Sequence, residues 1–190
     1  SYGLCVECHG ENLEGELLDE DPVFGRIAPS NLTSGLGGVG GDYSNADWVR
    51  AIRHGIGNDG KPLVVMPSQY FNKFSDQDLG DIVAYLKSLP PVDNDLAKTK
   101  LKFLGQIITV LDSEILPASM IDHEAPRPAS PAKGVTKEYG EYLATVCMAC
   151  HGEHLSGGPL PGEGGDATVA SKLTHLAVSD WSEADFDKAV

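Results

Sequence analysis

No cysteine of the 190-residue chain lies outside two short pairs, Cys5/Cys8 and Cys147/Cys150. None is left for the disulfide framework that staples many small secreted domains. Positive charge is scarce as well: 14 Lys and Arg stand against 28 Asp and Glu, a formal charge of −14. Such a surface repels phosphates and argues against a nucleic-acid partner. It suits docking to a basic protein partner, steered by charge and weakened by salt. Long apolar runs are missing too. The longest, Phe103 to Leu111, meets Asp112 and Glu114 and falls short of the roughly 18–20 residues of a membrane span. Aromatics make up only 7%, whereas Gly (22) and Pro (12) are frequent. That composition suits short helices joined by loops, and a thin core of this kind leans on a staple, metal or cofactor. The chain opens at Ser1 with no Met and no signal peptide. It is read as processed or partly observed, with any export signal or membrane anchor outside it.

What is present is a repeat. Cys5-Val-Glu-Cys-His-Gly-Glu-Asn-Leu-Glu-Gly15 and Cys147-Met-Ala-Cys-His-Gly-Glu-His-Leu-Ser-Gly157 lie 142 residues apart and agree at seven of eleven positions. Ser30-Asn-Leu-Thr33 matches Ser171-Lys-Leu-Thr174 at an offset of 141. Tyr43-Ser-Asn-Ala-Asp-Trp48 matches Trp181-Ser-Glu-Ala-Asp-Phe186 at 138, and Arg50-Ala-Ile52 pairs with Lys188-Ala-Val190. Four blocks in one order indicate a tandem duplication. The expected organisation is a first domain over 1–91, a connection over 92–133, and the N-terminal part of a second domain over 134–190.

The expected elements are short. Residues 1–10 read as a helix end carrying the first cysteines, and 11–43 as loop. Asn45 to Gly55 reads as a helix with Trp48 and Ile52 inward, and 56–74 as a second loop. Ser75 to Leu89 has an N-cap Ser, Asp78 three residues on, an apolar stripe of Leu79, Ile82, Val83 and Leu86, and Pro90-Pro91 as its stop. Lys98 to Leu116 admits a helix, and Pro117 to Pro131 reads as extended linker. Lys137 to Val146 reads as a helix leading into the second motif.

Cys-x-x-Cys followed directly by His is the signature of covalent c-type haem attachment. The thiols add to porphyrin vinyl groups as thioethers, and the adjacent imidazole supplies the proximal iron ligand. Cys5, Cys8, Cys147 and Cys150 are therefore expected to hold two haems c, with His9 and His151 on the irons. Three alternatives stand beside this reading. A Cys₄ zinc site would bridge two halves that each have their own His. A thioredoxin-like pair needs a βαβ setting absent here. The third is cysteines with no ligand.

Met66, in the loop Val65-Met66-Pro67, is the expected sixth ligand of the first iron. A thioether favours Fe(II) and raises the reduction potential; the alternative role is core packing. The matching Met of the second copy would lie past Val190, with Met120, His123, His154 and His175 as substitutes within the chain. A carbonyl near Ala28-Pro29-Ser30 is expected to take the other N–H of His9. Tyr43, Trp48 or Arg53 could bond a propionate, and His54 reads as a surface residue.

These motifs resemble the diheme members of the class I cytochrome c superfamily, in particular the membrane-associated cytochrome c subunits of bacterial dehydrogenases. The resemblance rests on residues 5–10, on Ala28-Pro-Ser-Asn-Leu-Thr33, on Met66-Pro67, and on Phe74-Ser-Asp-Gln-Asp-Leu79 with Ile82 to Pro91. It implies an all-α fold, two tandem cytochrome c domains of short helices around covalent haems. It implies an electron carrier rather than an enzyme, placed in the periplasm or on the outer face of the inner membrane. Such a carrier relays single electrons between a periplasmic or membrane partner and the respiratory chain, within a larger complex or tethered by an anchor. The rival is a haem enzyme, peroxidase-like or thiosulfate-oxidising, which needs an open or unusual axial site that only the second haem leaves available.

Overall fold

The computed structural model describes residues 3–112, 115–159 and 169–189. They divide into two compact units, Ser1–Ser130 and Pro131–Val190. Among the described residues, the first unit contains α1 (Gly3–His9), β1 (Asp19–Asp21), β2 (Gly25–Ile27), α2 (Asn45–His54), α3 (Ser68–Phe71), α4 (Asp76–Ser88), β3 (Lys100–Leu101) and α5 (Phe103–Leu111). A 3₁₀ turn, Pro117–Met120, follows.

The helices at the centre form for local reasons. Ser44 caps α2 reciprocally: its hydroxyl accepts the Asp47 N–H at 3.2 Å, and the Asp47 carboxylate accepts the Ser44 N–H at 3.0 Å. Left-handed Gly55 ends the helix. Its inner face buries Trp48, Ala51 and Ile52. Ser75 caps α4 with its hydroxyl, which accepts the Asp78 N–H, and Leu79, Val83 and Leu86 are its buried stripe, with Ile82 half-buried. Arg53, 3% exposed, ties the two helices together by donating to the Asp76 carboxylate at 2.6 Å and the Phe74 carbonyl at 2.9 Å. Both helices stand within a residue or two of the sequence expectation.

The fold is mainly helical, but not all-α as expected. β1 and β2 pair antiparallel, and β3 adds to β2 with Gly25 opposite Leu101. The Asp21 carboxylate makes the hairpin turn by accepting the Val23 and Phe24 N–H groups, each at 2.7 Å. Strands of two or three residues are too short for alternation to register in a sequence. α3 likewise interrupts a stretch read as loop.

The stretch after α4 is built into the first unit rather than running free. Thr99 Oγ1 accepts the Ala28 N–H at 2.9 Å and donates to the Ala28 carbonyl at 3.0 Å. The Asn94 amide donates to the carbonyls of Glu14 and Gly15. Helix occupies only Phe103–Leu111 of the 98–116 stretch, whose residues 113–114 lie outside the described residues. Pro117–Met120 turns instead of extending, with Pro117, Ala118 and Ile121 buried.

His54, expected at the surface, is half-buried against that turn. His123 Nε2–H donates to the Ala118 carbonyl at 3.1 Å, and the Nδ1 atoms of His54 and His123 lie 2.9 Å apart, within hydrogen-bond reach of each other. Burial lowers the pKa of His54, and Arg127, His123 and Arg53 lower it further against Glu124. The native state therefore binds a proton on His54 less readily than the unfolded chain. This contribution to stability is complete above the unfolded imidazole value, about 6.5, and declines as pH falls below it. Denaturation midpoints at pH 5 and pH 7.5 should differ more in the parent than in His54→Gln; equal differences would sink this reading.

In the second unit, Thr136 caps α6 (Lys137–Ala144) by accepting the Tyr139 N–H at 3.2 Å. A 3₁₀ turn, Thr145–Cys147, leads into α7 (Met148–His151). β4 (Gly158–Pro159) pairs antiparallel with β5 (Val169–Ala170), and α8 (His175–Val178) and α9 (Glu183–Ala189) follow.

Candidate cofactor-binding sites

Cys5, Cys8 and His9 occupy positions i, i+3 and i+4 of α1, hence one helix face. Burial, with the neighbouring Cys8, pushes the Cys5 thiol above its ordinary range. His9 Nδ1 lies 2.7 Å from the Ser30 carbonyl. A carbonyl only accepts, so Nδ1 carries the proton and Nε2 presents its lone pair. This is the carbonyl contact expected at 28–30, and it is the arrangement that orients an imidazole for a metal. Burial lowers the His9 pKa, against the opposing effect of the Ser30 bond.

The second motif repeats this geometry. His151 Nδ1 lies 2.6 Å from the Ser171 carbonyl, and Ser171 is the sequence counterpart of Ser30. Gly15 N–H bonds the His9 carbonyl at 2.7 Å, and Gly157 N–H bonds that of His151 at 2.9 Å. Leu13 and Leu155 both adopt a left-handed backbone, φ +59° and +54°, which is uncommon for leucine. Leu32 N–H bonds the Leu13 carbonyl at 2.8 Å and Leu173 N–H that of Leu155 at 2.9 Å. Further on, Ser182 and Asp185 make the same reciprocal cap as Ser44 and Asp47. Their serine hydroxyls hold both carboxylates below the ordinary range.

Gly15 is where the turn tolerates no side chain. Its φ is +84°, and a Cβ would meet the Asn31 N at 2.6 Å and the Pro29 carbonyl at 2.8 Å. Gly15→Ala should cost well over about 1 kcal/mol and displace the Ser30 carbonyl from His9. Denaturant unfolding of the haem-loaded chain measures it; an unchanged midpoint would refute the close packing.

The remaining candidates separate. Met66 is half-buried at the entrance to α3, on a segment fixed at both ends. Leu63 N–H bonds the Gly55 carbonyl at 2.7 Å, and the fully buried Ser68 donates to the Ala51 carbonyl at 3.1 Å. Arg53 serves the α2–α4 contact described above. Tyr43 meets Trp48 edge-on at 5.2 Å between ring centroids. Met120 is 57% exposed. His123 is taken by His54 and Ala118, and His154 and His175 are exposed.

Sequence reasoning missed Asn31. It is 1% exposed, its amide donates to the Val92 carbonyl at 2.7 Å, and its carbonyl accepts from Thr33 N–H and Oγ1–H. It thereby fixes the segment that carries the Ser30 carbonyl. Its sequence signals were its place in the repeated block, where the second copy has Lys172, and in the 28–33 stretch that carries the resemblance.

The residues present fit a haem. Two cysteines and an imidazole share one face, with the imidazole tautomer set for ligation. Trp48 offers an independent sign: it is 2% exposed, yet its indole N–H has no partner among the described residues. A buried donor left so is costly, and a propionate would satisfy it. In the second unit the counterpart Phe186 is 48% exposed.

Residues 2–90 match the family model for cytochrome c. The cytochrome c subunit of the quinone-dependent alcohol dehydrogenase of Gluconacetobacter polyoxogenes is 29% identical over 210 aligned positions, covering 96% of this chain and 44% of the relative. The fructose dehydrogenase cytochrome subunit of Gluconobacter japonicus is 32% identical over 105 residues, 52% of this chain and 22% of the relative. The gluconate 2-dehydrogenase cytochrome c subunit of Pantoea cypripedii is 35% identical over 88 residues, 44% of this chain and 20% of the relative. The chain spans less than half the length of these relatives.

Proposed function

With a cytochrome c domain over residues 2–90 as the premise, we propose that the chain is a diheme electron carrier serving a dehydrogenase at the outer face of the bacterial inner membrane. One observation carries the second haem: the His151–Ser171 bond and the turn after it reproduce the His9–Ser30 site bond for bond. Cys5 and Cys8 would hold one haem c, Cys147 and Cys150 the other, with His9 and His151 as proximal ligands. When bound, each haem supplies a one-electron Fe(II)/Fe(III) couple.

The chain's own contribution is to position and to tune. The Ser30 and Ser171 carbonyls fix the tautomers of His9 and His151. Met66 would be a second protein ligand of the first haem, whose thioether favours the reduced state. The Trp48 indole would bond a propionate. The acidic surface, −14 overall, would meet basic docking surfaces on redox partners. The relatives' names, all subunits of dehydrogenases, support a larger complex as the setting. A reductive titration tests the reading. The full chain should take up two electrons, one per haem, and show no turnover with peroxide or thiosulfate. Uptake of a single electron removes the diheme claim, and rapid peroxide turnover favours the enzyme alternative.

A further inference from the structure

The stretch that follows α4 holds the first cofactor site from outside the cysteine–histidine motif. Ser30 is exposed, so the place of its carbonyl, the one that meets His9, depends on the residues around it. Ala28, two positions before and only 3% exposed, has both backbone groups on one side chain. Thr99 Oγ1 accepts its N–H at 2.9 Å and donates to its carbonyl at 3.0 Å. Asn31, one position after, donates to the Val92 carbonyl at 2.7 Å, and Thr33 Oγ1 accepts the Val92 N–H at 3.0 Å. The turn beyond His9 is held as well. The Asn94 amide donates to the carbonyls of Glu14 and Gly15 at 2.9 and 3.1 Å, and Gly15 N–H is the group that bonds the His9 carbonyl.

Residues 92–99 thus bond to both backbone segments that meet at His9. Little slack is left between them. Leu96 and Lys98 enclose, with residues 28–31, a cavity of about 10 Å³, room for roughly one water. The Ser30 carbonyl therefore shifts only when the stretch over 92–99 lets go. Such a shift has a chemical consequence. An acceptor on the far N–H of a ligating imidazole raises the basicity of the ring, and a stronger donor favours the oxidised metal. The second unit supplies an internal comparison. His151 meets the Ser171 carbonyl in the same way, but exposed Lys172 stands where the first unit has buried Asn31. An ammonium group offers no acceptor to a threonine hydroxyl.

We propose that Thr99 and Asn94 are positioning residues for the first haem: they hold the Ser30 carbonyl on His9 and thereby tune the first redox couple without touching the second. Both act through backbone groups, Thr99 through Ala28 and Asn94 through Glu14 and Gly15. The inference deepens the electron-carrier reading and rests on it for the haem. It gives the stretch after α4, which joins the two units, a part in setting the potential of the first.

Potentiometry and proton NMR of the full-length, haem-loaded protein test this. Thr99→Val keeps the shape of the side chain and removes the hydroxyl, which leaves both backbone groups of buried Ala28 unpaired. The His9 Nδ1–H of the reduced protein should then exchange with water roughly tenfold faster. The first couple should move to higher potential, because a less basic imidazole favours the reduced state, while the second couple stays at its parent value. Thr99→Ser restores the hydroxyl and should return both readings to those of the parent. Asn94→Ala, at a half-buried position, should move both in the same direction by less, and it decides the matter if the valine variant fails to take up haem. The couples are assigned against a chain with alanine at Cys147 and Cys150, expected to keep only the first. A Thr99→Val protein that is merely less stable, with exchange and first couple unchanged, overturns the proposal. So do equal shifts in both couples, or an unchanged first couple in Asn94→Ala where the valine variant is lost. Failure of the electron-carrier reading is recorded separately, as a parent without covalent haem on Cys5 and Cys8.

Discussion

Alanine at both Cys147 and Cys150 is expected to yield a chain that carries half the covalent haem of the parent and keeps a single redox couple. Each cysteine pair lies in its own compact unit, and the imidazole next to each pair is held by a carbonyl of that same unit. The loss should therefore stay in the second unit, with the first keeping its potential and its axial ligation. Haem per chain after denaturation, which removes any group not bonded through thioethers, provides the count. A shared Cys₄ zinc site predicts a different result, because removing two of four thiolates would release the metal entirely. A parent carrying one haem per chain, or a double variant that still carries two, would end the diheme reading.

What was legible in the sequence depended on how local its cause was. The caps of α2 and α4 are set by a Ser and an Asp three residues apart, and the stripe of α4 by spacing alone, so both helices could be read directly. The carbonyl partner of His9 was legible because a ligating imidazole needs an acceptor for its other N–H, although the stretch that supplies it read as loop. The hairpin was not legible, because its cause is one Asp side chain closing a turn and a third strand arriving from residue 100. Nor was the docking of 92–130, which depends on Asn94 and Thr99 meeting backbone groups about 70–80 residues away in sequence. Composition reports such residues only as polar and loop-forming. The exposed face of α5 shows the opposite problem. Its apolar run was plain, but which side stays uncovered depends on where Phe24 stands, and that is a tertiary fact.

Replacing Met66 should shift the reduction potential of the first couple more than any substitution that leaves Cys5, Cys8 and His9 in place. Its backbone is held on both sides, by Leu63 N–H on the Gly55 carbonyl and by buried Ser68 on Ala51. A segment so fixed can present a thioether in one place without help from packing around the side chain. Met66 itself is only half-buried, whereas Trp48, Leu79, Val83 and Leu86 are buried, which favours ligation over filling. Met66→Ala should lower the potential of the first couple by a few hundred millivolts, within the ~0.8 V range that axial ligands command, because a soft donor to Fe(II) is gone. It should also let the reduced protein bind carbon monoxide quickly. Met66→His separates the two effects. An imidazole refills the axial place, so carbon monoxide should again be excluded, while the potential stays low because the replacement is a harder donor. If Met66 only packed the core, the alanine variant would lose stability with no change in potential, and the histidine variant would be no better than alanine. Potentiometry on the parent and the two variants therefore distinguishes ligand from filler, and an unchanged potential in Met66→Ala would remove Met66 from the iron.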